Sequence, residues 1–274
     1  MSRPPIRVAF QGERGAFSEV AARQLLGSRV LPVPRPTFPS LFRAIRDGAA
    51  QAILAPIENS LAGGVTQVYD LLLASRLSIT GEVVLPIALF VIGCPGARLA
   101  DVNTIYSHPV ALAQCERFFA ARAHIRRVAA DDTAGSVYAV LARGDRTCAA
   151  LAGRYAARFY GGRILYSHAE DHARNFTRFV LLEPEVRLVP RANKLSLVIE
   201  LAHRPGSLLR ALEPFALHGL NLLKIESRPI PGRPWEYRFF LDARAQCGPK
   251  LTEALKRLKR STTRIRVLGH YVSE

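Results

Sequence analysis

The sequence predicts an α/β protein of two domains, the first with strand and helix segments in alternation and mainly parallel strands, the second with the ferredoxin-like order βαββαβ. Three observations carry this expectation. Apolar runs of strand length alternate with amphipathic runs of helix length over the first two-thirds of the chain. The pattern then changes near Val189. Between the two patterns lies EPEVRLVPRAN, whose prolines and charges interrupt the apolar periodicity and mark a boundary, giving domains at 1–189 and 190–274.

In the first domain IRVAF reads as a strand and FSEVAARQLL as a helix, QAILAPI as a strand and VTQVYDLLLAS as a helix, and NTIYSH as a strand followed by one helix over PVALAQCERFFAARA. Asp132-Thr133 opens the helix AGSVYAVLARG. NFTRFVLLEP reads as a buried strand over Phe179, Val180, Leu181 and Leu182, stopped by Pro184 and with Thr177 and Arg178 at its mouth. In the second domain KLSLVIELA is a strand and GSLLRALEPFALHG a helix. NLLKIESRPI and WEYRFFLDA are strands joined by the turn PGRP, KLTEALKRLK is a helix and TTRIRVLGHYV the last strand.

Composition excludes several classes. With 274 residues and 49% hydrophobic content the chain has the makeup of a folded globular protein. No apolar run approaches the roughly 18 to 20 residues of a membrane span, and the N-terminus lacks leader character, so the expectation is no membrane and a cytoplasmic location. Cys94, Cys115, Cys148 and Cys247 show neither zinc spacing nor a disulfide framework. His168 and His172 stand four apart without a third ligand, and no metal or cofactor is expected. The net charge of +16 is spread: 22 basic residues face 15 acidic ones up to Val189, and 16 face 7 after it. No nucleic-acid motif accompanies it, so the charge points to small anions and not to nucleic acid.

The strand-to-helix junctions of the first domain carry small and hydrogen-bonding residues. Gly12-Glu13-Arg14-Gly15 with Ser18, Glu58-Asn59-Ser60 with Gly63-Gly64, Ser107-His108-Pro109, and Asp132-Thr133 each aim backbone N–H groups and a helix N-terminus outward. Together they describe an anion-binding cleft, with Gly15, Ser18, Glu58, Ser60, Gly64 and Thr133 as candidate substrate-binding residues. Neither a P-loop lysine nor a Ser-His-Asp or Cys-His pattern is present, so carboxylates suit the cleft better than nucleotide phosphates.

Taken in order, GERGAFSE, PIENSLAGGV with DLL, YSHPVALAQC, DDTAGS and NFTRF resemble the signatures of the prephenate dehydratase family, and ELAHRPGSLLRAL with KIESRPIPGRPWEYRFFLDA resembles its C-terminal ACT regulatory domain. The resemblance implies a bilobal catalytic domain with a cleft like that of a periplasmic binding protein. It implies conversion of prephenate to phenylpyruvate with loss of carbon dioxide and water, and no cofactor. With no chorismate mutase segment ahead of IRVAF, a monofunctional enzyme is expected.

By the same resemblance Thr177 donates the proton that lets the ring hydroxyl leave, and Asn59, Ser107 and Gln114 are further catalytic polar positions. Arg178 either meets a substrate carboxylate or braces its strand. In the second domain Gly206, Ser207 and Leu208 open a helix toward a ligand carboxylate, and Asn221, Leu222 and Glu226 lie on a strand that meets an amino group if two such domains pair. The resemblance makes that ligand phenylalanine, an allosteric effector, and implies a homodimer or homotetramer. Val110, Glu170 and Ser207 depart from the family pattern. The rival readings are an arogenate dehydratase and a non-catalytic sensor of aromatic metabolites.

Overall fold

The structure, a computed structural model, describes residues 4–184, 189 and 191–273. Five of the eleven residues of the expected boundary segment, 185–188 and 190, lie outside the described residues. The chain forms two compact units: residues up to Ser75 with Val83–Val180, and Arg76–Glu82 with the chain from Leu181 onward.

The first stretch runs β1 (Ile6–Gln11), α1 (Phe17–Leu26), β2 (Val30–Arg35), α2 (Phe38–Arg46), β3 (Ala52–Asn59), β4 (Gly63–Gly64), α3 (Thr66–Ala74) and β5 (Ser78–Pro86). The next comprises β6 (Phe90–Gly93), β7 (Thr104–Ser107), α4 (Pro109–Ala113), α5 (Glu116–Ala120), β8 (Arg126–Ala129), α6 (Thr133–Arg143), β9 (Cys148–Ala152), α7 (Arg154–Tyr160), β10 (Arg163–Tyr166) and β11 (Phe176–Glu183). These strands make two sheets, ordered β2-β1-β3-β11-β5 with β4 on β3, and β10-β6-β9-β7-β8.

Parallel pairing holds for β1 with β2 and β3, and for β7 with β8 and β9. The expectation of mainly parallel strands misses the returns. Strand β6 runs antiparallel to β9 and β10, and β4 antiparallel to β3. In the second sheet both faces are covered. Phe90, Ile92, Ala150 and Ala152 pack on one side with Val137 and Val140, while Leu89, Val91, Ala149 and Leu151 pack on the other with Phe118 and Phe119. That is why FVIG and CAALA read as unbroken apolar runs.

A second expectation also needs correcting. The helix anticipated over 109–123 is two helices, α4 and α5, broken at Gln114 and Cys115. The cause lies in a distant residue. Asp171 accepts the Glu116 and Arg117 N–H groups at 2.8 and 2.9 Å, capping a new helix, while its own N–H donates to the Gln114 carbonyl at 2.8 Å.

The second unit contains β12 (Lys194–Glu200), α8 (Ser207–Leu217), β13 (Leu222–Ile230), β14 (Arg233–Arg244), α9 (Pro249–Ser261) and β15 (Arg264–Tyr271). Its sheet order β13-β14-β12-β15 is the ferredoxin-like arrangement the sequence predicts. Leu195, Leu197 and Ile199 alternate toward Phe215, Leu251 and Leu258. The intervening residues face a buried polar network. Lys194 Nζ reaches the two Glu82 oxygens at 2.7 and 3.0 Å, and Tyr271 and Ser273 donate to the same carboxylate.

Back in the first unit, the loop after β1 turns at Gly12 and Gly15, whose φ values of 101° and 88° suit glycine. Glu19, fully buried on α1, holds this loop by accepting the Gly15 N–H and the Arg14 guanidinium at 3.0 Å and Arg23 at 2.9 Å. Burial pushes its carboxyl up, but the hydrogen bonds from Arg14, the Gly15 backbone and Arg23 outweigh burial and hold it below the ordinary value of 4.5. A depressed carboxyl adds stability above its unfolded value and loses it as pH falls through the folded one. Glu19→Gln is expected to cost about 1.5–3 kcal/mol in urea unfolding near pH 7. The gap between variant and wild type should narrow as the pH drops below about 4.5, and a gap of constant size would show that the carboxylate charge is not what holds the loop.

Candidate active site

At the C-terminal end of β3 the sequence ENSLAGG folds back on itself, pairing Glu58 with Gly64 and Asn59 with Gly63. Gly63 takes φ of 80°, and the Asn59 side-chain oxygen closes the turn by accepting the Leu61 and Ala62 N–H groups at 3.0 and 2.9 Å. Since backbone N–H groups can only donate, the Asn59 side-chain nitrogen faces the other way. There it donates to Thr177 Oγ1 at 2.9 Å, to Asn175 Oδ1 at 2.8 Å and to the Phe176 carbonyl at 3.1 Å. Ser60 reinforces the same junction, its hydroxyl oxygen accepting the Phe176 N–H at 2.9 Å and its own N–H donating to the Phe176 carbonyl at 2.8 Å.

These residues border a cavity of about 430 Å³ in the first unit. The first sheet brings Gln11, Asn59, Thr177 and Phe179 to its wall, and its short strand β4 brings Gly64. From the second sheet's side come His108, Val110, Gln114 and Thr133. Ser18 reaches the cavity from the first turn of α1. Of the candidate residues, Asn59, Thr177, Gln114, Ser18, Gly64 and Thr133 thus line one cavity together. Helix α6 presents its N-terminus there, with Asp132 as cap accepting the Gly135 N–H at 2.7 Å. Its lining contains no lysine or arginine among the described residues.

Five candidates lie elsewhere. Ser107 is fully buried and donates its hydroxyl to the Leu151 carbonyl at 2.6 Å, joining β7 to β9. Gly15 packs its backbone against α7, where a Cβ would stand 3.1 Å from the Ala156 Cα. Ser60 supports β11 from outside the wall. Arg178, with a side chain 12% exposed, lies 3.7 Å from Glu58, so these two neutralise each other as the bracing alternative has it. Of the departures from the family pattern, Val110 lies on the wall, and Glu170 accepts the Leu89 N–H at 2.7 Å and engages His168 at 3.0 Å.

Sequence reasoning passed over Asn175, although it heads the quoted NFTRF motif. It is fully buried, and its side-chain nitrogen donates to Gln114 Oε1 at 2.9 Å. Asp171, which breaks the helix at Gln114, was equally unmarked, because a cap supplied from some 55 residues away leaves no local signal.

The buried Cys115 next to Gln114, and His108 on the cavity wall, could tempt a nucleophilic reading. Burial pushes the Cys115 thiol up, and the Asp171, Glu170 and Glu116 carboxylates push it further, so it stays protonated and inert. His108 Nδ1 is engaged as acceptor of the Val110 N–H at 3.2 Å.

In the second unit Gly206 caps α8 with φ of 75°, and a Cβ there would lie 2.9 Å from Arg210 Nη1. Ser207 and Leu208 line a small cavity of about 140 Å³ with Leu201, His203, Tyr237 and Phe239. Asn221, Leu222 and Glu226 are placed apart from it, Asn221 preceding β13 and the other two on that edge strand, with Glu226 paired to Lys224 at 3.5 Å.

The prephenate dehydratase family model matches residues 8–187, and the ACT domain model matches residues 195–260. Among curated proteins, arogenate dehydratase/prephenate dehydratase 2 of the Arabidopsis thaliana chloroplast is 37% identical over 279 residues, covering 97% of this chain and 72% of the relative. Among solved structures, prephenate dehydratase from Arthrobacter aurescens in complex with L-Phe superposes with a TM-score of 0.89 at 31% identity, covering 98% of this chain and 90% of that one. GqqA, described as a novel type of quorum quenching acylase, gives 0.88 at 32% identity, with 98% of both chains covered. With two family models in sequence along it and relatives this similar over nearly its whole length, the chain belongs to the prephenate dehydratase family, its dehydratase domain followed by an ACT domain.

Proposed function

We propose that this chain converts prephenate to phenylpyruvate, carbon dioxide and water, with Thr177 as the proton donor, and that phenylalanine bound by the ACT domain inhibits it. Prephenate carries two carboxylates. Loss of one as carbon dioxide drives an electron pair into the ring and expels the ring hydroxyl, which departs as water once it gains one proton. The product then keeps a single carboxylate, so charge and atoms balance.

The observation that carries the reading is the hydrogen bond from Asn59 to Thr177. Because Thr177 Oγ1 accepts from the amide, its own hydrogen is left for an acceptor in the cavity. When that hydrogen moves to the leaving hydroxyl, the same N–H faces the oxygen on which negative charge develops and stabilises it. Water from the cavity mouth restores the proton. Gln114 offers a further polar contact on the wall, and Ser18, Gly64 and Thr133 contribute the small and hydroxyl surface that receives the carboxylates. Ser107, Glu58, Ser60, Arg178 and Gly15 serve this site through the elements they hold.

Arogenate differs from prephenate away from the reacting ring, and the plant relative's name includes both activities. An acylase is the second reading, favoured by the similarity to GqqA. Acyl transfer needs a nucleophile beside a base. Thr177 has an amide N–H at that place, and the Cys115 thiol is held protonated, so dehydration accounts for this cavity better.

For the effector, support comes from the ACT match and from the relative solved with L-Phe. Gly206, Ser207 and Leu208 receive the carboxylate and ring. Leu222 and Glu226 lie on the β13 edge and Asn221 just before it, where a second copy adds the rest, which makes the protein a homodimer or homotetramer. The division of labour falls at Val189, and the reaction is placed in the cytoplasm.

Two outcomes check these readings. Incubated with prephenate, Thr177→Ala should lose about 10² to 10⁴ in turnover, or roughly 3 to 5.5 kcal/mol of barrier, while Thr177→Ser retains more. An alanine variant within about threefold of wild type would place the donor elsewhere, and faster turnover of arogenate or of an N-acyl amide would favour the rival readings. In calorimetry, millimolar phenylalanine should give heat with the intact chain and weaken prephenate turnover, with a coupling of about 1–3 kcal/mol. Absence of both effects removes the regulatory reading and leaves the catalytic one standing.

A further inference from the structure

The amide groups around Thr177 can each be oriented in only one way, and the orientation is passed along a chain. It starts at the Leu61 and Ala62 N–H groups, which require an acceptor and so fix the Asn59 oxygen on their side. The Asn59 nitrogen then needs acceptors, and one is Asn175 Oδ1 at 2.8 Å. With its oxygen turned to Asn59, Asn175 has its nitrogen toward Gln114, whose Oε1 lies 2.9 Å away. Gln114 in turn keeps its own nitrogen for the cavity it lines. Reversing any one of the three amides sets two donors or two acceptors against each other in a buried place.

We propose that Asn175 is the positioning residue of the reaction: by relaying the polarity of the β3 turn to Gln114, it makes Gln114 present an N–H donor, and never an acceptor, to an oxygen of the substrate. Asn175 itself is fully buried and absent from the cavity wall, so it touches no substrate. It joins partners 116 and 61 residues away in sequence. The result is a pair of donors, the Thr177 O–H and the Gln114 N–H, in a cavity whose lining also includes the carboxylates Asp131 and Asp132. At that pair the site selects an oxygen acceptor, a carboxylate or the oxygen of a leaving hydroxyl, over a group that brings an N–H donor to the same place. The inference rests on the cavity being the active site.

Asn175→Asp tests it in the intact chain. As a carboxylate, Asp accepts from Asn59 but cannot donate to Gln114, whose amide must turn and put its oxygen into the cavity. Turnover of prephenate near pH 8 should fall by about 10- to 100-fold. As the pH is lowered toward about 5, protonation of the buried carboxyl restores a donor, and the ratio of variant to wild-type kcat should rise several-fold. A ratio that stays flat with pH, or a variant within about threefold of wild type near pH 8, overturns the proposal.

Should that variant fail to fold, a cycle of Asn175→Ala with Gln114→Ala serves in its place. The kcat loss from Asn175→Ala should shrink at least threefold in the Gln114→Ala background, whereas losses that multiply would overturn the relay. Thr177→Ala measured alongside separates the two levels. If it turns over prephenate as wild type does, the active-site reading fails and the role of Asn175 falls with it. If it is inactive, a flat pH ratio removes the relay alone.

Discussion

The side chain of Asn59 is the constraint on which the site depends. Its oxygen closes a turn within its own hairpin, and its nitrogen holds Thr177, which is 118 residues later in the chain. One amide thereby decides where β11 begins relative to β3 and which way the Thr177 hydroxyl is turned. The geometry is available only because Gly63 can adopt a positive φ and let the hairpin fold back on Glu58 and Asn59. A longer or charged side chain at position 59 could not serve the two backbone N–H groups and the threonine at once. The donor role proposed for Thr177 therefore depends on a single local feature of the sequence, ENSLAGG.

The second unit is organised by a different balance. One face of its sheet is apolar and carries α8 and α9, while the other buries Glu82, Lys194, Ser196 and Asp242. A buried ion pair adds little net stability, because desolvation consumes most of its Coulombic gain, but it tolerates only one arrangement of its partners. Glu82 and Lys194 are 112 residues apart in sequence, so the network ties the segment Arg76–Glu82 to β12 within this unit. This is specificity of arrangement more than adhesion. The exposed Leu223 and Ile225 on the β13 edge, 42% and 49% exposed, are the apolar surface this unit leaves uncovered among the described residues of that strand.

Much of this was legible in the sequence, and the misses share a cause. The alternation of strands and helices, the ferredoxin-like order, the cap at Asp132 and the turn glycines follow from local periodicity and local turn chemistry, which a sequence displays directly. The break at Gln114 does not, because the group that ends one helix and starts the next is Asp171, brought in by tertiary folding. Ser107 reads as a catalytic hydroxyl, yet its O–H is spent on the Leu151 carbonyl between β7 and β9, and nothing local distinguishes those fates. Arg178 and Glu58 each look available to a substrate until the fold places them together. Asn175 was hidden for the opposite reason: an asparagine ahead of a strand is ordinary loop chemistry unless its two distant partners are known.

The central claim is about the direction of hydrogen bonds, and neutron diffraction from a deuterated crystal observes it without any substitution. The account predicts two deuterons on the Asn59 side-chain atom that faces Thr177, and a Thr177 deuteron turned away from Asn59 into the cavity. An Asn59 oxygen facing Thr177, with the Thr177 O–D donating to it, would contradict the account at its root.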